Sequence, residues 1–477
     1  MIVAHEAQSA RDAVADVWTG LSGPQDELST LRLGGRDPAL PSVFRVTTAA
    51  SASIAAATLG AAGLLADRNH EPLRGVAVDA LHAVIAFRSE RHVRLLDGGL
   101  GGLWDSLAGD YPTADGWIRL HTNYPHHRAA ALRVLDVPAE RAAIASAVAQ
   151  RSAQELETAV IAAGGVAAAL RSRDEWRAHV HGARVAECPL VALEAGAICP
   201  PVALPGSERP LAGVRVLDLT RVIAGPVATR FLAAHGADVL RVDAPGFDEI
   251  PTIAIDGGFG KRSTALDLRH AEDRDAFERL VSAADVVVHG YRPGALSGLG
   301  YSAARLAALR PGLVIGRLSA YGPAGPWALR RGFDSLVQMV SGLAEEGRRA
   351  AGETAPVPLP CQALDHASGY LLACGVLIGL RRRQREGRSW RIAVSLARTA
   401  RWLDDLGRVD AGLDVPEPGP LEVQKYLRVD ATPWGRVEHV TCPGAIDGAP
   451  PRWEHPPPRT PSHPQNRVPP RRRSPVL

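Results

Sequence analysis

Between Leu211 and Arg398 the apolar and polar positions follow strand and helix periods in turn. Val214-Arg-Val-Leu-Asp-Leu-Thr220 alternates as a half-buried strand does, and a loop from Arg221 to Pro226 follows it. Pro226 suits a first helical turn, Ala228 to Ala234 continues that helix, and Gly236 suits its end. Ala237 to Asp243 reads as a second strand. Ala271 to Ala284 carries Phe277, Leu280 and Val281 on one stripe and reads as a helix. Asp285 to His289 is a buried strand, Ser302 caps a short helix that Pro311-Gly312 ends, and Leu313 to Leu318 is the next strand. This alternation predicts an α/β fold: a Rossmann-like, doubly wound, mostly parallel sheet in the C-terminal half, with ligands beyond the carboxyl ends of its strands.

Two apolar runs, Ala49 to Ala66 and Tyr370 to Leu380, read as buried core helices. The first is mostly Ala and Gly, and the second is too short to span a bilayer. Both sit in an internal repeat that aligns Ala49–Val84 with Asp365–Ala400. Each copy has an Ala/Leu/Gly-rich helix, a polar turn, a short strand (Val76 to Asp79, Ile392 to Ser395) and another Ala-rich helix. The repeat divides the chain into residues 1–200, a degenerate module supplying a smaller α/β domain, and residues 201–410, the Rossmann-like module. A short extension, 411–448, and a Pro/Arg-rich tail, 449–477, complete it. The tail cannot build a core and is expected to be disordered.

Composition narrows the class. With 477 residues, 46% of them apolar and 22% charged, the chain has enough apolar surface for a sizeable core of two to three domains. A net charge of +3 is too small to suggest nucleic-acid binding or a polybasic membrane surface. The five cysteines are odd in number, scattered and without a C-x-x-C, and the N-terminus shows no apolar signal segment. A soluble, cytoplasmic protein is the expectation.

The familiar loop motifs are missing. No G-x-G-x-x-G follows Val214–Thr220, and no G-x-S-x-G occurs. Gly260-Lys-Arg-Ser263 looks like the end of a P-loop but has Arg262 at its Ser/Thr position. His121, His126 and His127 lack an acidic or Cys partner at ligand spacing, so polar loop histidines are the expectation over a metal site.

Seven ordered blocks carry a resemblance. They are Pro210–Pro226, Gly236–Asp243, Gly260–Leu268, Asp285–Leu296, Ser319–Pro326, Arg331-Gly-Phe-Asp334 and Ala363-Leu-Asp-His-Ala-Ser-Gly369. Together they resemble the family III CoA-transferases (CaiB/BaiF proteins), which share their fold with α-methylacyl-CoA racemases. Asp115-Gly-Trp117 in the first half resembles the small-domain strand of the same family, there preceded by a glycine loop like Gly98-Gly-Leu-Gly-Gly102. The chain therefore resembles a rearranged or truncated tandem of two modules, with Thr47 to Ser53 offering no acid in the first copy.

The resemblance implies that Asp365 is a nucleophile that attacks an acyl-CoA thioester and passes through an aspartyl-CoA intermediate. A carboxylate before an apolar helix suits that role, although an Asp there is also what a helix N-cap calls for. CoA binding is implied for Arg221, Ala224, Gly225, Pro226, Lys261, Arg262, Tyr291, Arg292, Tyr321 and Gly322. No prosthetic group or metal is implied; coenzyme A and acyl-CoA enter as substrates, with a carboxylic acid as acceptor. The racemases place a His where Phe333 stands, which favours CoA transfer over racemisation. A racemase or dehydratase-like enzyme of the same fold, or a non-catalytic acyl-CoA-binding subunit, stays open, as does a homodimer.

Overall fold

The computed structural model describes residues 9–246 and 249–459. In the N-terminal half, helix Ala10–Gly20 and strand Leu31–Gly34 lead into a 24-residue helix, α1 (Val46–Asn69). Strand β1 (Val76–Asp79), helix α2 (Ala80–Ala86) and a single turn α3 (Ser89–His92) follow. A small antiparallel sheet then forms from β2 (Gly109–Pro112), β3 (Trp117–Leu120) and β4 (Ala167–Ala169), with its own core of Tyr111, Ile118, Leu120, Leu156 and Val160.

The next strand, β5 (Ala192–Ile198), lies ahead of residue 200 yet joins the sheet of the C-terminal half. That sheet continues through β6 (Arg215–Leu219), helix α4 (Ala224–Ala234), β7 (Asp238–Asp243), β8 (Lys261–Ala265), helix α5 (Ala271–Ala283), β9 (Val286–His289) and β10 (Val314–Ser319). Helix α6 (Asp334–Val340) and a second 24-residue helix, α7 (Ala363–Glu386), precede β11 (Arg388–Ser395) and helix α8 (Leu396–Asp405). The strand order is β8-β7-β6-β9-β10-β11-β5, parallel except for the antiparallel edge β5. Val216 stands level with both Val239 and Val286, and these three belong to one buried layer, as a sheet covered on both faces requires. The predicted doubly wound sheet is present, and β8 is a strand that the P-loop-like reading of Gly260–Ser263 concealed.

The two long helices are the centre of the molecule. The residue before each has nearly the same backbone, φ −78° and ψ 57° at Arg45 against φ −78° and ψ 61° at Gln362. Each ends on a left-handed residue, His70 or Gly387. Asp79 and Ser395 then cap α2 and α8 with side-chain oxygens. α1 packs along α7, and Gly60 brings it close: a Cβ there would lie 3.2 Å from Leu377 Cβ. Both helices are long and apolar enough to cross a bilayer, with mean hydropathies of 1.6 and 1.4, yet 94% and 100% of those stretches is buried within the protein.

The C-terminal segments return to the N-terminal half. Strand Gly435–Val440 pairs with Arg94–Leu95, and Ala445–Ile446 pairs with β1. The expectation of a disordered tail from residue 449 is corrected for residues 449–459. Trp453 packs on the Phe259 ring, stands 5.6 Å from the Arg230 guanidinium and donates to the Arg230 carbonyl. Arg452 and His455 bond the backbone at Ala234 and Gly260, and Glu454 pairs with Arg209. One aromatic anchor orders a stretch that composition alone reads as core-less. The rest of the predicted tail, 460–477, lies outside the described residues.

Candidate active site

Asp365 is the third residue of α7 and is 7% exposed, at the wall of a cleft of about 610 Å³, part of it open to solvent. It is not the helix cap. Its own backbone N–H donates to Asp334 Oδ2 at 2.9 Å, so Asp334, at the start of α6, satisfies the opening turn of α7. Asp334 is in turn held by Gln338, whose carbonyl oxygen accepts from Leu359 N. The Asp365 carboxyl is left to face the cleft.

Its electrostatics suit a strong carboxylate nucleophile. Burial, the charge of Asp334 and the charge of Glu90, in that order, raise the Asp365 carboxyl well above the usual carboxylate range. Burial likewise pushes Asp334 up to about 6. A carboxylate so placed is more basic than one in water.

The walls of the cleft come from both halves. The C-terminal half supplies Val222, Ile223, Ile250, Ile253 and Phe333; the N-terminal half supplies Leu103, Trp104, His121, Tyr124 and the polar Glu90, Arg91 and Asn123. Asn123 accepts from Asp105 N and donates to Leu103 O, and Asp105 also accepts from Thr122 and Arg128, which fixes the end of the glycine-rich loop. Leu103 and Trp104, just after Gly98–Gly102, are the residues of that loop that reach the cleft. The His121 ring stacks on Phe333, with centroids 3.8 Å apart and planes 3° apart, and burial pushes it down to about 3, so it is neutral. No group of three or more candidate metal ligands occurs among the described residues, and His121, His126 and His127 form an aromatic cluster with Tyr124.

Val222 is a strained point in this wall. It is β-branched with φ +68°, a conformation that such residues avoid, and its N–H donates to Glu249 Oε1 at 2.5 Å. Glu249 is fixed by Arg241 at 2.7 Å. The strain turns the β6–α4 loop so that Val222 and Ile223 line the cleft.

The residues expected to hold CoA do not gather in one place. Arg221 stands beside the lining, its positive charge reaching Tyr124, His126 and Tyr291. Ala224, Gly225 and Pro226 are buried, and Gly225 serves packing: a Cβ there would lie 2.3 Å from Thr220 Cβ. The Lys261 ammonium is fully buried, 2.8 Å from Asp218 and 2.7 Å from Thr229 Oγ1, where it neutralises a core carboxylate away from the cleft lining. Arg262 is tied to Asp238 at 2.5 Å on the sheet edge. Tyr291 is half-buried after β9. Arg292 borders a second cavity with His289, Arg317 and Arg391. Tyr321 is buried against Trp327 and His181, with Gly322 left-handed at φ +90° behind it. Glu90 and Tyr124 have sequence surroundings that look like ordinary helix and loop, and His121, expected as a polar loop histidine, lines the cleft with them. Asp334 closes the block Arg331–Asp334, which gives no local sign that it serves the start of α7.

Residues 211–419 match the family model for CoA-transferase family III. The probable fatty acyl-CoA transferase Rv3272 of Mycobacterium tuberculosis is 33% identical over 231 residues, 44% of this chain and 58% of that protein. The alpha subunit of succinyl-CoA–L-malate CoA-transferase of Chloroflexus aurantiacus is 32% identical over 212 residues, 41% of this chain and 49% of the relative. The formyl-CoA:oxalate CoA-transferase of Escherichia coli O81 is 30% identical over 200 residues, 39% and 47% of the two. The chain thus spans about half the length of the curated relatives it matches.

Proposed function

We propose that this chain, whose residues 211–419 match the family III CoA-transferase model, moves CoA from an acyl-CoA thioester to a carboxylic acid through Asp365. The observation that carries this reading is the buried, raised carboxyl of Asp365 facing a cleft, relieved of helix capping by Asp334. The Asp365 carboxylate attacks the thioester carbonyl and expels CoA thiolate, leaving a mixed anhydride. The thiolate then attacks the aspartyl carbonyl, which releases the free acid and leaves aspartyl-CoA. The acceptor acid runs the two steps in reverse and departs as the new CoA ester. The cleft's apolar walls, from Leu103, Trp104, Val222, Ile223, Ile250, Ile253 and Phe333, suit an acyl group with an apolar body.

A second reading, α-proton exchange, is favoured by one observation: His121 places a neutral imidazole against Phe333 in the same cleft. Incubating the protein with acyl-CoA and a panel of acids, then assaying CoA exchange in D2O, separates the two. New CoA esters without α-deuterium support transfer; deuterium uptake without exchange supports the second reading and removes the first.

A further inference from the structure

Glu90 is a buried carboxylate that the transfer steps above do not use. It sits on the single turn α3, in the half of the chain that lies outside the family match, yet it lines the cleft of Asp365. Its Oε2 is 3.0 Å from His366 Nε2, and the two side chains are 4% and 0% exposed. Phe87 stacks on the His366 ring at 5.4 Å. The preceding residue anchors the turn: Ser89 Oγ donates to Asp256 Oδ2 at 2.8 Å, and Arg230 Nη1 lies 2.5 Å from Asp256 Oδ1. These contacts hold Glu90 against α7.

Burial alone would raise the Glu90 carboxyl, but the hydrogen bond and charge of His366 outweigh it and hold Glu90 below the usual range. An ionised carboxylate is thus fixed beside a second one. The groups facing Asp365 are Asp334 on α6, Glu90 and Arg91 on α3, His366 on α7 itself, and Glu249 across the cleft. His366 at 3.0 Å offsets part of the Glu90 charge, and Arg91, whose Nε is 3.9 Å from Glu90 Oε1 and partly in solvent, offsets less of it. Asp334 has a structural duty in capping α7, whereas Glu90 bonds no backbone of α7 in any contact seen among the described residues.

We propose that Glu90, pinned by His366, is a positioning residue that raises the free energy of the Asp365 carboxylate, a repulsion released when acylation removes that charge. This rests on the catalytic reading of Asp365 given above. In the step concerned, an Asp365 oxygen bonds the thioester carbonyl carbon, and the C–S bond breaks with its electron pair leaving on the CoA sulfur. The negative charge moves from beside Glu90 to the departing thiolate, with no proton or oxidant required. Removing one of two like charges that border the same cleft makes that displacement more favourable.

The test is the pH profile of kcat/KM for CoA exchange, whose acid limb reports ionisation of Asp365 in the free enzyme. Glu90→Gln keeps the size and the oxygen that meets His366 and removes the charge. Its acid limb moves to lower pH, while the plateau rate falls on the order of tenfold, equal to about 1.4 kcal/mol in barrier. Glu90→Asp, with the charge kept but withdrawn, gives an intermediate limb, and it carries the test alone if Glu90→Gln does not fold. An acid limb that stays in place or rises in the folded variants overturns the proposal, because a merely structural Glu90 would lower the rate at every pH alike. Hydroxylamine trapping on the wild type separates the layers. An Asp365 hydroxamate with an unmoved limb removes only this inference, and absence of the hydroxamate removes the catalytic reading beneath it.

Discussion

Asp365 and Asp334 both titrate above the ordinary carboxyl value of 3.8, so over that window the folded chain keeps protons that the unfolded chain has released. Their contribution to stability is therefore present below the unfolded pKa and is lost as pH rises through the folded values. Asp365→Asn, neutral at every pH, should raise the melting temperature relative to wild type at pH 8 and lose that advantage near pH 4. An equal shift at both pH values would mean that the carboxyl is not destabilised by burial and its neighbours. Lys261→Ala belongs to the same scale. It leaves Asp218 buried without its cation and should cost about 3–5 kcal/mol of stability. CoA-ester affinity measured on the folded fraction should stay unchanged, and a loss of affinity at full stability would return Lys261 to the ligand. The family resemblance singles out Asp365, which its residues alone left open to a helix-cap reading. Nothing local to Lys261 reveals that Asp218, 43 positions earlier, meets it in the core.

At the scale of elements, the strands were legible because their alternation is a property of the sheet: β6, β7, β9 and β10 fall within a residue or so of where the pattern put them. β5 and β8 were not, since an edge strand and a strand rich in polar residues lack that alternation. The glycines in the apolar helices were legible only as composition, and their use is in packing. A Cβ on Gly369 would lie 2.5 Å from the Ala224 carbonyl oxygen and 2.8 Å from Val227 Cβ, where α7 crosses α4. Gly369→Ala should thus destabilise the protein by about 1–3 kcal/mol through overpacking, despite Ala's better helix propensity. Denaturant melts check this, and a stabilised variant would show that the crossing is looser than described. The crossing also fixes the loop that carries Val222, so CoA exchange should weaken along with stability.

On the scale of the whole molecule, the cleft draws on α3 and the β3 end from one half and on α6 and α7 from the other, all within one chain. Arg381 of α7 binds the halves further, with buried ion pairs at 2.6 Å to Glu27 and 2.7 Å to Asp67. Asp365→Asn, inactive, and Glu90→Gln, slowed about tenfold, mixed and refolded together should therefore give no more than the Glu90→Gln activity. Recovery toward a quarter of the wild-type rate would mean that the site is shared between chains. Counted from their first residues, α1 has Thr48 where α7 has Asp365, so the N-terminal long helix offers no carboxylate at that point. The central claim is that Asp365 carries the acyl group and then CoA. The most direct measurement is peptide mass mapping after incubation with an acyl-CoA and no acceptor acid, with and without hydroxylamine. CoA mass on the peptide containing Asp365, converted to a hydroxamate at that residue and absent from Asp365→Asn, is the predicted result. An adduct at another residue, or a folded Asp365→Asn protein that exchanges CoA at the wild-type rate, would contradict it.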